Sequence, residues 1–176
     1  WEEEHVPAIL NVWFGGSEAA YAISDVLFGD VNPSGKLTAT FPQNVGQIPL
    51  FYNHKNTGRP LQEGRWFEKF RSNYLDVSNE PLYPFGYGLS YTTFAYSDIH
   101  LSSTEMSADG ELTATVTVTN TGSRDGAEVV QLYIRDLVGS VTRPVKELKG
   151  FEKIFLKAGE SRKVSFSITP ELFEVL

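Results

Sequence analysis

Apolar and polar residues alternate along the second half of the chain in short, evenly spaced runs. Over Glu111–Thr119, Leu112, Ala114, Val116 and Val118 recur at every second position, which places them on one face of a strand. Ala127–Arg135 repeats the pattern with Val130, Leu132 and Ile134, and Glu147–Leu156 and Arg162–Ile168 predict two further strands. Thr93–Leu101 predicts a first strand, with Phe94, Tyr96, Asp98 and His100 alternating against Ala95, Ser97, Ile99 and Leu101. Asn120-Thr121-Gly122, Arg124-Asp125-Gly126 and Lys157-Ala158-Gly159-Glu160 supply the turns between them.

The first half follows another rhythm. Val6–Phe14 is almost continuously apolar, as a parallel strand covered on both faces would be. Gly15-Gly16 turns the chain, and Ser17 is the expected N-cap of a helix over Glu18–Phe28. Ala19, Ile23, Val26 and Leu27 form its apolar stripe, and Gly29 stands where a C-terminal glycine belongs. Leu37, Ala39 and Phe41 alternate with Lys36, Thr38 and Thr40, a half-exposed strand ended by Pro42. One strand-helix-strand unit cannot bury both faces of its own sheet, so residues 6–42 read as a remnant of a larger α/β domain. The pattern thus predicts an α+β composite, a short α/β remnant followed by an antiparallel immunoglobulin-like β-sandwich. Only five sandwich strands are expected before Leu176, two fewer than the usual complement of about seven.

Between the halves, Val45–Tyr52 reads as extended chain, and Asn53–Pro60 as a polar loop. Glu80–Tyr91 combines Pro81, Pro84, Gly86 and Gly88 with Leu82, Tyr83, Phe85, Tyr87, Leu89 and Tyr91. Prolines and glycines fix its course while the rings are too apolar for solvent, so it reads as an ordered strap pinned by aromatic contacts. The expected divisions are 1–42, 43–92 and 93–176.

Composition narrows the chemistry. A net charge of −7 argues against a nucleic-acid surface, and Arg143, Lys146, Lys149 and Lys153 are diluted by Glu147 and Glu152. There are no cysteines, hence no disulfide or thiolate chemistry. No apolar run reaches the roughly 18 residues of a membrane span, and no signal-peptide pattern occurs. His5, His54 and His100 lie far apart with no zinc-type spacing. Glu2-Glu3-Glu4 reads as a solvated terminus, and no local periodicity pairs two carboxylates as glycosidic cleavage requires. Gly15-Gly16-Ser17 is either an anion cradle or a plain strand-to-helix turn. His54, Lys55 and Arg59 either face a substrate in a larger assembly or are solvated. No catalytic, substrate-binding or metal residue and no cofactor is assigned from the residues alone.

Several long motifs carry a resemblance. Ala8–Ala19 and Ala22–Leu37, then Val45-Gly46-Gln47-Ile48-Pro49, Tyr52–Pro60 and Pro81–Tyr91, resemble the end of the α/β-sandwich domain of family 3 glycoside hydrolases, in the bacterial periplasmic β-glucosidase branch. Thr119–Gly122, Gly126–Tyr133 and Lys149-Gly150-Phe151 are similar to that family's fibronectin type III-like domain. The resemblance spans essentially the whole chain. It implies a retaining, exo-acting enzyme that removes terminal β-glucosides or xylosides, active in the periplasm or secreted.

The resemblance also implies an aspartate nucleophile in an N-terminal barrel and a glutamate acid/base earlier in the α/β domain, both in motifs upstream of Trp1. Glu18, Asp25 and Asp30 inherit neither role. The expectation is therefore a C-terminal piece, clipped at both ends and inactive alone. Its sandwich would buttress the absent barrel and α/β domains and aid homodimerisation, with β-glucoside oligosaccharides reached only through the full enzyme. A second reading is a free-standing module that binds carbohydrate or protein through Trp66, Phe67 and Tyr74, rings that would otherwise pack on the absent barrel. A third is a structural role in which a partner chain adds a strand. Uncovered apolar faces and open strand edges further predict low stability in isolation.

Overall fold

The computed structural model describes residues 1–62 and 64–174. Its centre is a β-sandwich of two antiparallel sheets. In the larger sheet, β3 (Leu112–Asn120) pairs with β6 (Ser161–Ile168) along one edge, in a register running from Leu112 opposite Ile168 to Thr119 opposite Ser161. Its other edge carries β1 (Phe94–Tyr96) and β2 (His100–Leu101). The second sheet is β4 (Gly126–Ile134) against β5 (Glu147–Leu156), with a bulge between Leu132 and Tyr133.

The period-two pattern places the inward residues as expected. Val118, Val130, Ile154, Leu156 and Val164 form one buried cluster, flanked by Phe94, Val116 and Phe166. Ala114, Leu132 and Ile168 form a second, flanked by Leu112, Ile134 and Leu172. The expected first strand is split in two. Ser97 uses its amide to bond the Thr117 carbonyl and its hydroxyl to accept from the Thr117 amide, and the chain bends before rejoining β3 at His100. Six strands therefore stand among the described residues where five were expected.

The first half departs further from the sequence reading. No strand forms over residues 6–14 among the described residues, and Ile9, Leu10, Val12, Trp13 and Phe14 are exposed. A buried parallel strand exists only between neighbours that take its amides and carbonyls, and no described segment pairs with this one. The helix α2 spans Ala19–Phe28 with Glu18 as its N-cap and no side-chain capping bond, so Ser17 does not cap it. Gly15 is needed at the entry because a Cβ there would lie 2.2 Å from the Ala19 Cβ. Gly29 closes the helix in the left-handed conformation at φ 83°. A short helix α1, Glu2–His5, precedes these, with His5 stacked on Trp1 at 4.6 Å.

The expected strand over 36–41 does not form either. Leu37 and Phe41 instead bond the strap: the amides of Leu37 and Phe41 donate to the carbonyls of Tyr87 and Tyr83, and those of Gly86 and Leu82 donate back to Leu37 and Phe41. Val45–Gln47 is a turn of 3-10 helix rather than extended chain, closed by a capping box between Asn44 and Gln47. Gln47 is buried and its amide nitrogen donates to the carbonyls of Ser78 and Glu80.

Asn120, fully buried, ties the sandwich to the strap. Its Oδ1 accepts from the Thr92 hydroxyl and the Gly122 amide, and its Nδ2 donates to the carbonyls of Arg124 and Leu156. Asn120→Ala leaves these groups unpaired in a dry site, at about 1–3 kcal/mol per orphaned group. We expect a lowered urea midpoint with an unchanged slope; an unchanged midpoint would show that water replaces the side chain.

Candidate functional site: the junction of the two halves

Among the described residues, Glu128 is the one charged residue that is buried. It lies in the inward register of β4, between buried Gly126 and Val130, and is 8% exposed. A carboxylate there is costly unless it is paired and hydrogen-bonded. Lys36, from the first half, supplies the pair: its Nζ lies 3.1 Å from Glu128 Oε2, both side chains being largely buried. The same ammonium donates to the Gly88 carbonyl at 2.9 Å. The Tyr96 hydroxyl donates to Glu128 Oε1 at 2.8 Å. First half, strap and both sheets thus meet at one carboxylate.

Close backbone approach makes this meeting possible. A Cβ on Gly88 would stand 2.2 Å from the Gly35 carbonyl oxygen. One on Gly86, which has φ 82°, would meet Gln131 Oε1 and the Tyr133 hydroxyl. Gln131 Nε2 donates to the Gly86 carbonyl, and Tyr133 donates to Gln131 Oε1. Asn32 acts as a second clasp: its Nδ2 donates to the Asp125 carbonyl while its Oδ1 accepts from the Ser90 hydroxyl and the Tyr91 amide. Tyr52 stacks on Phe85 at 4.2 Å and meets Tyr133 edge-on, and Tyr91 donates to the Val26 carbonyl at the end of α2.

Burial, and then the bond and charge of Glu128, push the Tyr96 phenol well above the ordinary tyrosine range. Burial with Tyr52 nearby raises Tyr133 as well. At the 157–160 turn, the Lys157 amide and then Arg162 lower the Glu160 carboxyl.

The residues singled out from sequence lie elsewhere. His54, Lys55 and Arg59 keep exposed side chains, and their segment docks by backbone: the His54 carbonyl accepts from Val145, Lys55 bridges to Pro144, and the Arg59 carbonyl accepts from Ser72. His5 bonds the Trp1 carbonyl and His100 sits in β2 opposite Thr115. Among the described residues no three His, Asp or Glu side chains gather as a metal site. Of the basic run, Arg143 pairs with Asp136, Lys149 with Glu147, and Lys146 lies over the Tyr133 ring. Tyr74 is half-buried rather than exposed, its hydroxyl donating to the Gln47 carbonyl at 2.8 Å. Trp66 and Phe67 are exposed, beside Phe70 with a positive φ of 66°. A bulky residue in that conformation costs about 1–3 kcal/mol.

The junction residues were missed in the sequence reading. Their signal was a charge in the inward register of a strand otherwise occupied by Val130 and Leu132.

With this geometry in hand, the likeness to known proteins is informative. Residues 1–91 match the glycosyl hydrolase family 3 C-terminal domain, and residues 128–176 match the fibronectin type III-like domain. The chain belongs to glycosyl hydrolase family 3. It is 58% identical over 170 residues to a periplasmic beta-glucosidase of Salmonella typhimurium, covering 97% of this chain and 22% of that protein. It is 48% identical over 171 residues to a putative beta-xylosidase of Formosa agariphila, covering 97% of this chain and 21% of that protein. Among solved structures it matches a mutant β-glucosidase from Listeria innocua in complex with laminaribiose, with 47% identity and a TM-score of 0.85 over 93% of this chain and 22% of that one. A β-glucosidase from Erythrobacter marinus matches with 45% identity and a TM-score of 0.87, over 98% of this chain and 21% of that one. This family 3 chain thus spans between a fifth and a quarter of the length of these relatives.

Removing one partner of a buried ion pair costs roughly 3–5 kcal/mol, because the other charge stays desolvated and alone. Lys36→Met is expected to destabilise the chain on that scale. The double variant Lys36→Met with Glu128→Leu should regain most of the loss in chemical denaturation, and additive losses would refute the pairing. Tyr96 predicts an alkaline effect. Its folded value is raised, so its stabilisation is complete below about pH 10 and is lost as pH rises towards that value. Urea midpoints should therefore fall more steeply above about pH 10 in the wild type than in Tyr96→Phe; parallel slopes would refute it.

Proposed function

We propose that the chain is the non-catalytic C-terminal support of a retaining β-glucosidase-type enzyme. The supporting observation is the match over residues 1–91 to the family's C-terminal domain, joined through the Lys36–Glu128 pair to a fibronectin type III-like sandwich. In this reading the units are 1–42, the end of an α/β domain, 43–92, a connector, and 93–176, the sandwich. The nucleophile and acid/base belong to segments of the longer polypeptide outside this chain. The sandwich and strap hold the α/β domain in one orientation and can contribute to a homodimer. Terminal β-glucosides are the substrates of the whole enzyme, and the periplasm its place of action, as the name of the Salmonella relative suggests.

Such a support has no hydrolytic step of its own. The purified chain is expected to release no aryl alcohol from an aryl β-glucoside above the buffer rate. Hydrolysis abolished by substituting an Asp or Glu within residues 1–176 would overturn the reading.

A further inference from the structure

β4 has an open edge. Among the described residues, no backbone hydrogen bond joins residues 129–134 to anything but β5, so every second amide and carbonyl there points away from the sheet unpaired. The other open edges are guarded. β1 and β2 are three and two residues long, β6 carries Arg162 and Lys163, and β5 carries Lys149, Glu152 and Lys153. Residues 129–134 include no charge and no proline. The extra residue of the bulge, Lys149, lies in β5, so β4 keeps its regular alternation. Beside this edge the sandwich is open. A cleft of about 200 Å³ separates β4 from the β1–β2 side of the larger sheet, lined by Ile99, Val116, Val130, Leu132 and Phe166. Ile99, in its wall, is 63% exposed, and Leu101 41%.

We propose that the open edge of β4 pairs with the same edge of a second copy of this chain, antiparallel about a two-fold axis at Gln131. A free strand edge accepts another extended backbone, and β4 is itself such a strand. A two-fold pair satisfies both edges through one contact and closes at two copies. Residues opposite each other in an antiparallel ladder share a face, so a two-fold pair must be centred on a residue. With Gln131 at the centre, Val130 lies opposite Leu132 of the partner subunit, and Val129 opposite Tyr133 of the partner subunit. No like charges meet across the seam. Glu128, the one charge in β4, falls opposite Ile134 of the partner subunit and keeps Lys36 as its counter-ion. The inward apolar pairs cover the open cleft. The inference gives a surface to the homodimer of the proposed support and rests on that reading only there. A monomeric chain without hydrolysis would remove the inference and leave the support.

The test is analytical ultracentrifugation of the full chain. A closed dimer of micromolar affinity is expected. Ile99→Lys sets a guard charge in the cleft wall and should weaken the dimer about tenfold or more. The chain has no cysteine, so an introduced one reports the axis. Gln131→Cys should give a disulfide-linked dimer on mild oxidation, whereas Lys153→Cys, on β5, should not. The amides of residues 129–134 should exchange more slowly as the chain concentration rises. A monomer at about 100 µM, open-ended oligomers, an undiminished dimer in Ile99→Lys, or cross-linking by Lys153→Cys in place of Gln131→Cys would each overturn the proposal. Circular dichroism of each variant separates lost pairing from lost folding, and Gln131→Cys decides if Ile99→Lys does not fold. In the longer polypeptide, slow exchange of the same amides in a monomer would also overturn it, by showing the edge paired within one chain.

Discussion

The first half, the strap and both sheets of the sandwich meet at one desolvated carboxylate. Glu128 stands in the interior register of β4, where an unpaired charge would oppose folding. It is tolerated because Lys36 neutralises it and Tyr96 donates to its second oxygen, leaving both oxygens occupied. An apolar contact of similar size would hold the halves together but would accept many orientations. A hydrogen-bonded ion pair has direction, so it also sets how the first half lies on the sandwich. The glycines at 86 and 88 belong to the same constraint, since any side chain there would hold the strap away from Gln131 and from Gly35.

The strap gains order from several weak contacts acting together. Its backbone takes up the hydrogen bonds of the 37–41 segment, which finds no other partner among the described residues. Its rings stack in pairs, Tyr83 with Tyr87 and Phe85 with Tyr52. Asn32 bonds Ser90 and Tyr91 at its far end and Asn120 bonds Thr92 just beyond it, each using both ends of a side-chain amide. A segment with two prolines and two glycines cannot form a regular ladder. It is instead ordered by what it touches.

The two halves bury their apolar residues very differently. Among the described residues, the two clusters of buried apolar side chains lie in the sandwich, whereas the first half leaves Ile9, Leu10, Val12, Trp13, Tyr21, Leu27 and Phe28 exposed. Contiguous apolar exposure of this kind is uncommon on a monomeric surface.

Local periodicity alone determined β3 to β6, the inward faces of β3 and β4 and the turns at 120–126 and 157–160, since alternation along a strand is a property of neighbouring residues. It determined α2 and its glycine stop for the same reason. The motif series placed the chain in its family without reference to any contact. What tertiary structure alone decided was everything that needs a partner distant in the chain. The apolar run at 6–14 reads as a strand but takes up no strand pairing, because no described segment supplies the hydrogen bonds. Segment 36–41 found its partner in the strap only through folding, the Gly86 amide donating to the Leu37 carbonyl 49 residues earlier in the chain. The role of Glu128 was equally hidden: its sequence neighbours say that it points inward, but only the folded chain brings Lys36 to meet it. Pattern is written in adjacent residues, whereas pairing is decided by which distant groups the packed chain leaves unsatisfied.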